Sequence, residues 1–291
     1  MNTDTIKNIC IGVLSGFILL FAVLIINENR AYTLTASCEE NVRAILERGG
    51  ITIERAALPR DFRPMQTLAM QTYSHDITAL AARFFGDIPF YYEYEIGSSF
   101  YFCDISGKEI EHNNITRVID FSMEGGFFTG IAPEEFTKTA AGSYELARGF
   151  ITNILLADDL YLSSNALTPN GDYQLVFFAS YQGNIIYNTQ LRMRVTEQGI
   201  VRATYQRVAT GGFDTYPRPI FSADEALLAL LNHLRTRETD RPAEIVNIRL
   251  VYAFTDRGIP AYLFTVVIDD MHINFRFSAL TNTYIGSAII L

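Results

Sequence analysis

Cysteine is scarce in this chain of 291 residues: only Cys10, Cys38 and Cys103, too few for a disulfide framework. Cys10 falls in a long apolar run, which leaves Cys38 and Cys103 as the one pair an oxidising compartment could join. The four histidines, His75, His112, His233 and His272, are scattered without an H-E-x-x-H or H-x-H spacing, so the sequence predicts no metal site. Signatures of nucleophilic hydrolysis and of phosphate binding are also missing. There is no G-x-S-x-G or S-x-x-K, and Gly125, Gly126 and Gly130 are wrongly spaced for a nucleotide loop and suit a turn or bulge. The neighbouring carboxylates Glu134–Glu135 and Asp269–Asp270 fit a helix start and a strand connection. The sequence therefore predicts neither an enzyme nor a cofactor. Positive charge is in deficit, 23 Lys and Arg against 32 Asp and Glu, and the net charge of -9 works against nucleic acid as a partner.

There is one long hydrophobic run, Ile9 to Ile26, and no second. As a helix its eighteen residues reach about 27 Å, close to the ~30 Å hydrocarbon core of a bilayer. The run predicts a single transmembrane helix over 9–26, with a cytoplasmic head at 1–8 and everything after it extracytoplasmic in a cell-membrane protein. A cleaved secretory signal peptide is the competing reading. Within the run Gly12 and Gly16 have the G-x-x-x-G spacing that lets two membrane helices approach, with Ser15 beside them. These three are the candidate membrane-helix contact residues, while the residues of the following domain that touch a partner are not legible.

Beyond the run the composition is that of an ordered domain, 49% hydrophobic and rich in Tyr and Phe. Residues 27–70 read as a juxtamembrane helix, a strand and a linker. Ser37 and Glu40 make a capping box there, and Gly49–Gly50 a stop. Residues 71–210 read as a first α+β unit. Its helix follows a Ser74 or Asp76 cap, strands cover 90–96, 99–105 and 117–123, and a helical stretch runs from Pro133 to Leu156 with a break near Gly142 where Ser143 restarts it. Antiparallel strands then cover 173–181, 185–195 and 200–208. Alternation of Leu191, Met193 and Val195 with Arg192, Arg194 and Thr196 gives that sheet one buried and one wet face. Residues 211–291 read as a second α+β unit, in which a helix capped by Ser222 and Glu225 precedes four strands. The aromatic cluster of Tyr91, Tyr92, Tyr94, Phe100, Tyr101 and Phe102 divides between core and surface.

Three stretches carry a family resemblance. Asn188-Thr189-Gln190-Leu191-Arg192-Met193-Arg194-Val195 with Gly199-Ile200 resembles a hairpin of YycI, a membrane-anchored regulator beside a sensor kinase in low-GC Gram-positive bacteria. Ile220-Phe221-Ser222-Ala223-Asp224-Glu225-Ala226-Leu227 resembles its helix start. Tyr252, Pro260-Ala261-Tyr262 and Phe277-Ser278-Ala279 are similar to its last sheet, although Tyr262 and Ser278 stand where the family favours Trp and Asn. The resemblance implies an α+β fold in which the N-terminal transmembrane helix is followed by two PepSY-like units, each a helix packed on an antiparallel sheet. It implies a non-enzymatic regulator in the cell envelope, modulating a WalK-type sensor histidine kinase of a two-component system by protein–protein contact, alongside a YycH-like co-regulator. The alternative is an envelope binding module that recognises a protease or a peptidoglycan fragment.

Overall fold

A computed structural model describes residues 13–23, 31–53, 58–71, 76–236 and 241–290. In chain order the first elements are helix α1 (13–23), α2 (Ala36–Arg48), strands β1 (Ile51–Ile53) and β2 (Leu68–Gln71), and α3 (Ile77–Phe85). Strands β3 (Phe90–Ile96), β4 (Ser99–Asp104), β5 (Lys108–Asn113) and β6 (Val118–Phe127) come next, followed by α4 (Ala140–Phe150). A second run of strands is β7 (Leu160–Leu167), β8 (Tyr173–Tyr181), β9 (Asn184–Thr196), β10 (Gly199–Gln206) and β11 (Ala209–Phe213). Helix α5 (Ala223–Thr236) precedes β12 (Ala243–Phe254), β13 (Gly258–Ile268), β14 (Met271–Ser278) and β15 (Tyr284–Ile290). The fold is mixed α+β.

The expected transmembrane helix is corrected. The described part of α1 covers eleven of the eighteen apolar positions, about 16 Å at ~1.5 Å per residue against the ~30 Å of a bilayer core. No helix among the described residues is long and apolar enough to cross a membrane, so the single-pass anchor and the cell-membrane placement built on it are not seen. Residues 1–8 of the expected head, and 9–12 and 24–26 of the expected span, lie outside the described residues.

Two compact units form. Unit 1 contains residues 1–66, 216–250 and 260–291, and its strands lie in the order β1, β12, β13, β14, β15. This sheet is not purely antiparallel as expected, because β1 runs parallel to β12 with Ile51 beside Ala243. Helix α5 presents Leu227, Leu230, Leu231 and Leu234 to Phe264, Val266, Phe275 and Phe277, and α2 adds Val42 and Leu46. The spacing of those leucines is the i, i+3, i+4, i+7 pattern of one helix face. Ser222 opens α5 with its backbone N–H donating to Glu225 Oε2 at 2.9 Å, the half of the capping box that involves the glutamate. At α2 the cap is Thr35, whose hydroxyl accepts from the Cys38 N–H at 3.3 Å, instead of the expected Ser37. Thr35 has the same chemistry two positions earlier. Tyr262 is fully buried and its hydroxyl donates to the Phe221 carbonyl at 2.9 Å.

Unit 2 contains residues 67–215 and 251–259. Eight of its strands form an antiparallel sheet in the order β7, β8, β9, β10, β6, β5, β4, β3, while β11 pairs with β2. Helices α3 and α4 pack on one face. There Phe84, Phe121 and Phe150, all buried, meet edge to face, with ring centroids 5.1 Å apart for Phe84–Phe121 and for Phe121–Phe150. The expected long helix over 133–156 is three pieces: a 3-10 turn at Pro133–Glu135, then α4, then a π-helical turn at Ile151–Leu155 ended by Leu156 at φ 52°. Thr139 is the reason for the first break. Its φ of -130° is extended, and its hydroxyl accepts from Gly142 N at 3.1 Å, so it restarts the helix in place of Ser143. Ser143 is buried inside α4.

Candidate functional site

Among the described residues no helix of unit 2 lies on the other face of its sheet, and residue pairing lines up that face's side chains in rows. The first row is Gln174, Arg194, Arg202, Ser122, Glu109 and Cys103, each the direct cross-strand partner of the next. The second is Val176, Arg192, Thr204, Asp120, Glu111 and Tyr101. All of these residues are exposed or half-buried. The intervening row of Leu175, Met193, Ala203, Phe121, Ile110 and Phe102 is buried beneath the helices. Period-two alternation therefore holds across six strands, with one face dry and one wet.

The wet face separates its charges into stripes. Arg192, Arg194 and Arg202 stand on β9 and β10, and Glu109, Glu111, Asp120 and Glu124 on β5 and β6. Arg194 reaches Asp172 at 2.9 Å, and Arg202 lies 3.6 Å from Asp120, whose carboxylate also accepts from the Thr204 hydroxyl. With arginine side chains 58% and 68% exposed, each ion pair is worth about 0–1 kcal/mol, too little to lock either guanidinium.

A groove of about 600 Å³ opens in this face. It exists because Ser122, a short side chain, sits between the long Arg202 and Glu109 in the first row. Glu124, Arg194, Thr196, Gln198 and Val201 are among the other residues that line it. Val201 is the extra residue of a bulge in β10: Ile200 pairs with Val195 and Arg202 with Arg194. Gly126, at φ 75°, lies where a Cβ would fall 1.7 Å from the Gln198 carbonyl oxygen, so only glycine fits beside that turn. Gly125 and Gly126 thus belong to an irregularity of the sheet between Ser122 and Phe127, where the β6–β10 register shifts.

At the end of the groove the β4–β5 turn is held by Asp104. Its carboxylate accepts from Ser106 N at 2.8 Å, from the Ser106 hydroxyl at 2.7 Å and from Lys108 N at 3.0 Å. Burial alone would push its pKa up, but these donors and the Lys108 charge outweigh it and hold the carboxyl below its ordinary value. Lys108 itself points to the helix side, with Nζ 4.6 Å from the centre of the Phe127 ring. Burial lowers its pKa and Asp104 partly opposes this. His112 faces the same side, and burial depresses its pKa as well.

Of the residues singled out from sequence, Ser15 and Gly16 are exposed on α1, with no other described part of the chain within 4 Å of where a Gly16 Cβ would stand. Gly12 lies outside the described residues. Cys38 is exposed on α2 and Cys103 is partly exposed in the groove, and no disulfide joins them. Glu109, Ser122, Glu124 and Arg202 were not anticipated. Their signal is the alternation of Glu109 and Glu111 with Ile110, and of Asp120 and Ser122 with Phe121.

No protein-family model matches the chain, and no curated protein matches it. Among solved structures it is similar to an uncharacterized protein from Eubacterium rectale, at 12% identity and a TM-score of 0.48, over 81% of this chain and 91% of that one. It is also similar to the YpeB C-terminal domain of Bacillus megaterium, at 12% identity and a TM-score of 0.37, over 76% of this chain and 100% of that one. Likenesses this loose carry no weight for activity or partner.

Proposed function

We propose that this chain is a non-enzymatic regulatory protein that modulates a sensor histidine kinase of a two-component system by protein–protein contact, with PepSY-like units and the wet face of unit 2 as its contact surface. The observation that carries this reading is the charge-striped face: a broad, half-exposed sheet surface with cations on one side and anions on the other. Complementary potential of that kind steers and orients a protein partner and rejects wrong ones. The YycI-like stretches supply the kinase as the partner class. A partner that prefers one kinase state by about 1–3 kcal/mol shifts that state about 5- to 150-fold, without chemistry of its own.

Photocrosslinkers at Ser122 and Glu111 of the full chain, expressed in its host, test the reading. A histidine kinase should be trapped, and deleting the chain should change the phosphorylation of the matching response regulator. Trapping of a protease in place of a kinase would move the reading to a protease-binding module. An unchanged phosphorylation level with no kinase trapped would refute regulation.

A further inference from the structure

We propose that the groove on the wet face of unit 2 binds a short free peptide laid across the strands, its carboxylate toward Arg202 and its ammonium toward Glu109 and Glu124. This ligand site goes beyond the kinase reading and stands without it. In the first row Arg202 and Glu109 are separated by the single residue Ser122, which places their strands about 10 Å apart at ~4.8 Å per strand spacing. An extended tripeptide covers about the same distance at ~3.3–3.6 Å per residue. The long side chains rise on either side of the short serine, so opposite charges face one another across a gap of the ligand's length.

Charge complementarity selects the ligand class. A polyanion meets Glu109 and Glu124, and a polycation meets Arg194 and Arg202, so each is repelled by one wall. A molecule with one charge of each sign at its two ends satisfies both walls. Arg202 suits a carboxylate through its planar fork, and its distance of 3.6 Å from Asp120 leaves it able to turn toward a ligand. Arg194, closer to its own carboxylate partner at 2.9 Å, reinforces the positive wall. Ser122 and Gln198 also line the groove, where a hydroxyl and an amide can pair with peptide N–H and C=O groups, and Val201 adds an apolar contact. A volume near 600 Å³ lies within the range of small-ligand sites, roughly 300–1,000 Å³.

Calorimetric titration of the full chain with trialanine, its N-acetylated form and its C-amidated form tests the proposal. The free tripeptide should bind, and each cap should weaken it about tenfold, the loss of one charge-assisted contact. Arg202→Glu should abolish binding while Arg202→Lys keeps most of it, and Glu109→Gln with Glu124→Gln should erase the preference for a free amine. These side chains are on the surface, and an unchanged melting temperature verifies each variant's fold. No binding of trialanine, or equal binding of the free and capped peptides, would overturn the proposal. Neither result bears on the kinase crosslinking, and a failed crosslinking leaves the titration intact.

Discussion

Gly149→Ala should destabilise unit 2, although an alanine inside a helix ordinarily stabilises it. On helix propensity alone the change gains about 0.8–1 kcal/mol. At this position, however, a Cβ would stand 2.2 Å from the Thr129 carbonyl oxygen, 2.7 Å from its carbon and 3.2 Å from the Gly130 Cα. Relief requires about 1 Å of separation, and both sides of the contact are backbone, so no side chain can rotate away. Overpacking of a tight contact costs about 1–3 kcal/mol and occasionally more. We expect the upper part of that range to apply, for a net loss of about 2 kcal/mol, or about 4–8 °C in Tm for a unit of this size. Because the chain has no tryptophan, urea unfolding is best followed by far-ultraviolet circular dichroism, with midpoints compared at constant slope. Gly125→Ala is the control: nothing lies within 4 Å of its Cβ position, and its stability should stay within about 0.5 kcal/mol of the parent. A Gly149→Ala variant as stable as the parent, or more stable, would refute the reasoning.

Two further outcomes follow from buried polar groups. The pKa of His112 is depressed below its ordinary 6.5, so the unfolded state binds the proton more readily; stability is complete above pH 6.5 and declines as the pH falls through that value. Thermal melts of His112→Gln should lose this decline, and an identical pH profile in the two proteins would contradict it. Tyr262→Phe removes the hydroxyl that donates to the Phe221 carbonyl and should cost about 0.5–1.5 kcal/mol in urea unfolding; an unchanged unfolding midpoint would contradict it.

What was legible in the sequence depended on range. The wet and dry sides of β9 follow from alternation, and Leu191, Met193 and Val195 are indeed buried. Helix α5 follows from its leucine spacing and its Ser222–Glu225 start. The groove was not legible, because it depends on which residue of one strand stands opposite which residue of the next. That register is set by hairpin turns and by the bulge at Val201, none of which alternation counts. The break before α4 turned on a choice between Thr139 and Ser143, two residues with the same capping chemistry. Gly149 is the opposite case: its spacing carries no signal, and only the approach of Thr129 explains it.

The bulge at Val201 also governs which changes in length β10 tolerates. Ile200 faces the helices while Ala203 and Tyr205, an odd number of residues further on, face them too. The extra residue is what lets the parity change within the strand: Ile200 and Arg202 already pair with the adjacent Val195 and Arg194, so deletion of Val201 alone would regularise the ladder and leave Ala203 and Tyr205 toward the helices and Arg202 and Thr204 toward water. Relatives that keep both faces can therefore lack the residue between Ile200 and Arg202, whereas a single deletion between Arg202 and Tyr205 would turn over the faces on one side of it, so strand length beyond the bulge records whether the charged row has survived.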